Sequence, residues 1–272
     1  MIVADKIFRL LSENSSPKES DWINSKIAAD IEKLPSAFVA APRFISKNPV
    51  DVSVLFEDSK IRTWTLDKLA RVFLLLKIDN ASKDKYTSVI ESLFETAEVN
   101  EAVALYSALP FLPYPEYWKF KATEAVRSNI GPVFDALAFG NPYPAVHFSD
   151  LEWNQLVLKC IFNDKPIHLI EGLDKRTNRE LADSISNFAH ERWAAGRTVP
   201  AQVWRLVIKF TDEKITNDLQ KLFLSGDISD NYAAALVCHE CSFEKAKELL
   251  NLYPDLSAKV QKVELTWEVL EV

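Results

Sequence analysis

Apolar residues recur along most of this chain at intervals of three and four, the period of a helix that buries one face. Leu66, Leu69, Ala70, Phe73 and Leu74 form one such run, closed by Lys77. Start signals stand ahead of the runs. Ser16-Pro17-Lys18-Glu19 joins a capping box to proline at the first helical position, and Thr177-Asn178-Arg179-Glu180 is a second box. Thr65, Ser82, Ser149, Asp212 and Ser242 precede further runs. Strand-like alternation is rare, and only Val50 to Phe56 stays open between strand and loop.

The expected fold class is therefore all-α, with about a dozen helices of roughly 10–18 residues joined by short loops. Leu112-Pro113-Tyr114-Pro115-Glu116 and Asn141-Pro142-Tyr143-Pro144-Ala145 echo each other 29 residues apart, each before a helix. A single helical hairpin cannot bury its own apolar face, so the echo favours a right-handed stack of antiparallel hairpins, a HEAT-like α-solenoid. One domain is expected over 1–272. It has a helical layer over about 1–108 and acidic helices over about 199–272.

Two central helices stand out. Between Ser149 and Phe162 only Glu152, Gln155 and Lys159 make a polar strip, which predicts a buried helix with Asn154 as an interior amide. From Thr177 to Ala195 the stripe is Leu181, Ile185, Phe188, Ala189 and Trp193. Arg192 projects into that stripe and His190 away from it. Such an arginine either reaches out of the last turn or meets an acidic partner inside.

Composition narrows the function classes. Apolar residues are 48% and charged ones 26%, and only 5 glycines occur, too few for many hairpin turns or phosphate loops. The net charge of −7 argues against nucleic acid and anionic membranes as partners. It is uneven: 211–272 holds 6 Lys+Arg against 12 acids, whereas 141–210 holds 9 against 8. The 3 cysteines make no disulfide framework, no signal-peptide pattern opens the chain, and no membrane-length apolar segment occurs, so a cytoplasmic location is expected.

Chemical motifs are weak. Cys238-His239-Glu240-Cys241 lacks the second ligand pair of structural zinc and reads as core. His190-Glu191 fails as a zinc-protease motif because Ala194 stands where a second histidine belongs. His147, His168, Glu171, Asp174 and His190 are the conceivable metal ligands, against a plainer role as caps and braces. No cofactor fingerprint, Walker loop or nucleophile elbow is present. The aromatic segment Pro113–Trp118 either lines a groove or, more simply, pins a loop that leads into a helix.

The block Glu124 to Ala145, the segment Trp153–Phe162, Gly172-Leu173-Asp174 and Ala189–Arg197 resemble the EboA family over roughly 109–197. Val146 stands where that family is expected to carry an acidic residue. The resemblance implies work in a bacterial secondary-metabolite pathway, in precursor handling or export, beside a prenyltransferase-like membrane protein and sugar- or phosphate-enzyme homologues. It implies no mechanism.

The expected function is thus a non-catalytic helical-repeat binding or scaffold protein, with no cofactor or metal. Its partners would be other proteins of the pathway or a small polar or prenylated intermediate. The expected groove is lined by Glu124, Arg127, Asn129, Asn141, Tyr143, His147 and Lys159, with Glu124 and Arg192 as internal ion-pair members. The alternative is an enzyme with His147 or His190 as general base and Glu124 or Glu152 as its partner.

Overall fold

Local capping sets many of the helix starts. The Ser16 N–H and hydroxyl both donate to Glu19 Oε2, at 2.7 and 2.6 Å, in front of the helix Pro17–Ile27. Ser149 and Glu152 repeat the arrangement before Asp150–Phe162. The second predicted box starts one residue later than expected. Asn178, not Thr177, is the cap, and its Oδ1 accepts the Leu181 N–H at 2.9 Å.

The structure, a computed structural model, describes residues 3–28, 33–56 and 59–271; Met1 and Ile2, which open the segment read as lacking a signal peptide, lie outside them. The chain divides into two compact units, 1–148 and 149–272. The first holds α1 (Val3–Asn14), α2 (Pro17–Ile27), α3 (Leu34–Ala40), strands β1 (Pro49–Asp51) and β2 (Thr63–Thr65), then α4 (Leu66–Leu76), α5 (Lys83–Thr96) and α6 (Val99–Ala108). It ends with α7 (Lys119–Arg127), α8 (Gly131–Ala138) and α9 (Tyr143–His147). The second holds α10 (Asp150–Phe162), α11 (Arg179–Ala194), α12 (Glu213–Phe223), α13 (Ile228–Glu240), α14 (Glu244–Asn251) and α15 (Pro254–Gln261). A 3₁₀ run, Ala201–Phe210, links α11 to α12. All-α is the class. The 15 α-helices among the described residues exceed the expected dozen because several are short.

In the first unit α4 is the centre, packed by α1, α3 and α6, and α6 in turn meets α8. Arg71 of α4 and Glu101 of α6 are both buried, and Arg71 Nη2 stands 3.5 Å from Glu101 Oε1. The stretch left open at Val50 supplies β1, antiparallel to β2 with Val50 opposite Trp64, both turned inward. In the second unit α13 is a hub, in contact with α12, α14, α15 and the 3₁₀ run. Its buried Ala233-Ala234-Ala235 lets neighbours approach on several sides. A solenoid helix meets only its neighbours in the stack, so this hub gives no support to an ordered stack of hairpins.

The helix α10 departs from its expected all-round burial. Leu151 and Phe162, near its two ends, are 66% and 59% exposed, while Trp153, Leu156, Val157 and Cys160 between them are fully enclosed.

Candidate functional site

Three rings, Phe56, Trp64 and Phe139, wall a cleft of about 400 Å³ in the first unit. Lys68 lines it from the first turn of α4, and its Nζ lies 4.2 Å from the centroid of the Trp64 ring. Burial drives the Lys68 amine down to about 8, against a weaker upward pull from the Asp67 charge. Ser107 of α6 lines the same cleft. It is 3% exposed, and its hydroxyl finds no hydrogen-bond partner among the described residues. Leaving such a group unpaired costs about 1–3 kcal/mol, a cost that a bound polar atom would remove.

The floor of the cleft is built by Gly140 and Asn141. Gly140 has φ +59°, and a Cβ there would stand 2.5 Å from Ile61 Cβ and 2.9 Å from Ser59 Oγ. Only glycine allows that approach. The Asn141 amide donates to the carbonyls of Tyr106 and Ala136, both at 3.0 Å, and its Oδ1 accepts the Tyr143 N–H at 3.0 Å. One side chain thereby ties α6, α8 and the start of α9 together.

The residues singled out from the sequence are placed as follows. Asn141, Tyr143 and His147 adjoin one another: the Tyr143 and His147 rings are 4.6 Å apart, and the Tyr143 hydroxyl donates to the Pro115 carbonyl at 2.5 Å. Tyr143 is buried, so its hydroxyl braces the loop before α7. His147 Nδ1 meets the exposed Glu116 at 2.9 Å. Glu124, Arg127 and Asn129 are exposed on α7 and the loop after it, and Glu124 meets Lys121 at 3.5 Å instead of an internal partner. Lys159, in the second unit, is half-buried on α10. Arg192 is not an internal ion-pair member among the described residues. It is half-buried in the last turn of α11, donates from Nε to the Thr198 carbonyl, and lies 5.4 Å from the Phe188 ring centroid. The apolar stripe ends there, and the guanidinium reaches past it to backbone oxygen.

The histidine question has a different answer from the one expected. His190 Nε2 lies 2.6 Å from Asp218 Oδ1; Asp218 is 1% exposed, and its Oδ2 accepts the buried Ser186 hydroxyl at 2.7 Å. His190 opens onto a groove of about 600 Å³ beside Trp193, Arg197 and Lys221. Glu152, the partner expected for it, is held by its own cap at Ser149. In the second unit His168, Glu171, Asp174 and His190 form no group of three ligands among the described residues; Asp174 instead takes two bonds from Arg205, at 2.8 and 2.7 Å. Cys238 and Cys241 are buried on and just after α13, and burial pushes the Cys238 thiol up to about 12. Trp118 is fully buried and donates to the Pro113 carbonyl at 2.8 Å, so Pro113–Trp118 pins its own loop.

Sequence reasoning passed over Lys68, Ser107 and Trp64. A signal existed. The helix α4 is buried almost all round, yet carries Asp67, Lys68 and Arg71 within its first two turns. Charges placed in a helix with so little polar face need a partner or a cleft.

Comparison with known proteins supplies the context. No curated protein and no solved structure matched the chain. A family model described as "Metabolite traffic protein EboA" matches residues 3–208, far beyond the 109–197 block that carried the resemblance, and it spans every residue of the Lys68 cleft. With most of its 272 residues inside that match, the chain belongs to the EboA family.

Proposed function

We propose that this chain is a non-catalytic metabolite-binding protein. It holds a precursor of a bacterial secondary-metabolite pathway while that precursor is handed on or exported. One observation carries the reading: an amine and an unpaired buried hydroxyl, Lys68 and Ser107, share a cleft with three aromatic walls. That set, with Asp135 as the other charged residue of the lining, suits a flat or unsaturated apolar body whose anionic end reaches Lys68. The rings stack on the body, the ammonium takes the anion, and the Ser107 hydroxyl adds a second bond. The family description as a metabolite traffic protein supports it.

In this account Asn141 and Tyr143 shape the cleft and its surroundings. The exposed Glu124, Arg127 and Asn129 offer a polar face to a partner protein of the same pathway. His147 in the first unit, and Lys159 and Arg192 in the second, remain candidate contacts, and a cytoplasmic location is part of this reading. A thermal-shift screen with geranyl phosphate, 2-naphthoate and neutral 2-naphthalenemethanol tests it. The anionic probes should raise the melting temperature, and Lys68→Met should abolish that rise. A rise that survives Lys68→Met unchanged would place the ligand elsewhere.

One further geometry favours a second function. His190 Nε2 stands 2.6 Å from Oδ1 of the buried Asp218, a carboxylate–imidazole contact of the kind that orients a general base. A turnover lost in Asp218→Asn with binding at Lys68 intact would establish it.

A further inference from the structure

An unpaired amide marks another cavity, wholly within the unit from Ser149 onward. Gln202 stands near the start of the 3₁₀ run and is 8% exposed, yet its Nε2 finds no hydrogen-bond partner among the described residues. It lines a cavity of about 270 Å³. The enclosing side chains are apolar, with Ile161, Ile167, Val203 and Leu270 all buried. Polar groups gather at the mouth, where Asp164 is exposed and Lys165 and His168 are half-buried.

Three features separate this cavity from a packing defect. Its volume approaches the roughly 300–1,000 Å³ of small-molecule pockets and exceeds the ~150 Å³ of an engineered apolar void. Its buried polar side chain among the described residues, the Gln202 amide, is a two-proton donor, and a buried donor without a partner is a standing cost that a bound acceptor removes. Ala201, Gln202 and Val203 of its wall open a 3₁₀ run of 10 residues, whereas such runs seldom pass three or four. The backbone is held in that form by packing on α11 and α13, which keeps the Gln202 side chain at the cavity.

We propose that this cavity is a second ligand site, for a small, uncharged, mainly apolar molecule with one carbonyl-type acceptor that takes the Gln202 amide N–H. The buried Gln202 amide, in place of an amine beside an aromatic ring, sets it apart from the Lys68 cleft. Its two charged lining residues, the exposed Asp164 and the half-buried Lys165, are adjacent and opposite in sign, which leaves no net charge to favour an ion of either sign.

Acetophenone and cumene make the test, since they share shape and differ in the carbonyl. Binding is followed by the methyl signals of Ile161 and Ile167, so that occupation of any other site is not counted. Acetophenone should bind the intact chain about tenfold tighter than cumene, and Gln202→Leu should reverse the preference. Equal affinities, a preference that persists in Gln202→Leu, or no shift at either isoleucine would overturn the proposal. If Gln202→Leu fails to fold, Ala201→Phe on the half-buried edge of the same wall fills the space. Acetophenone binding retained by that variant would also overturn it.

Discussion

Glu19 shows how one side chain sets part of the acid stability. Burial by itself would raise its carboxyl, but donors at Ser16 and the Ser46 N–H outweigh that and hold it at about 2. The folded value lies below the ordinary 4.5, so the ionised form adds stability above about pH 4.5. That contribution, on the order of 3 kcal/mol, is lost as the pH falls from about 4.5 to about 2. Glu19→Gln should lower the melting temperature at pH 7 and flatten the fall across that window; superimposable acid limbs would refute it. Asn154 makes a similar point inside the second unit. Its Nδ2 donates to Asn178 Oδ1 at 3.1 Å and its Oδ1 accepts from Asn178 Nδ2 at 2.8 Å. Asn154→Leu leaves the Asn178 amide short of a partner and should cost about 1–3 kcal/mol in chemical denaturation. The interior position of Asn154 was legible from the helical wheel. Its partner was not, because a pairing across 24 residues exists only once α10 packs against the start of α11.

At the scale of elements, caps and apolar periods were readable wherever the signal is local. Ser16 with Glu19 and Ser149 with Glu152 form as their spacing requires, and Thr65, Ser82 and Asp212 do precede helices. The Pro-Tyr-Pro echo was misleading for a physical reason. Tyr114 takes φ +59° before a 3₁₀ turn, whereas Tyr143 starts α9, so equal sequence gives unequal backbone. The two loops are joined directly by the Tyr143 hydroxyl at the Pro115 carbonyl. The cleft was hidden because its members come from β2, α4, α6 and the α8–α9 turn, and only tertiary packing assembles them. Gly140→Ala tests that assembly. A Cβ at φ +59° against Ile61 combines backbone strain with overpacking, and a loss of roughly 2–4 kcal/mol is expected. Unchanged stability would mean the turn does not need glycine.

For the whole molecule, the central claim concerns the charge state of one amine in an acidic protein. The net charge of −7 repels anions at long range, so selective uptake of an anionic metabolite has to come from a local, partly desolvated cation. Lys68 is that group in this account. With its amine near 8, it holds its proton at pH 7 and loses it as the pH rises, while a carboxylate ligand stays ionised throughout. The most direct measurement is calorimetric titration of 2-naphthoate at pH 7 and pH 9.5 into the intact chain and into Lys68→Met. The intact chain should bind about tenfold more tightly at pH 7 than at pH 9.5, and Lys68→Met should bind weakly at both. Equal affinity at the two pH values, or tight binding by Lys68→Met, would contradict the account.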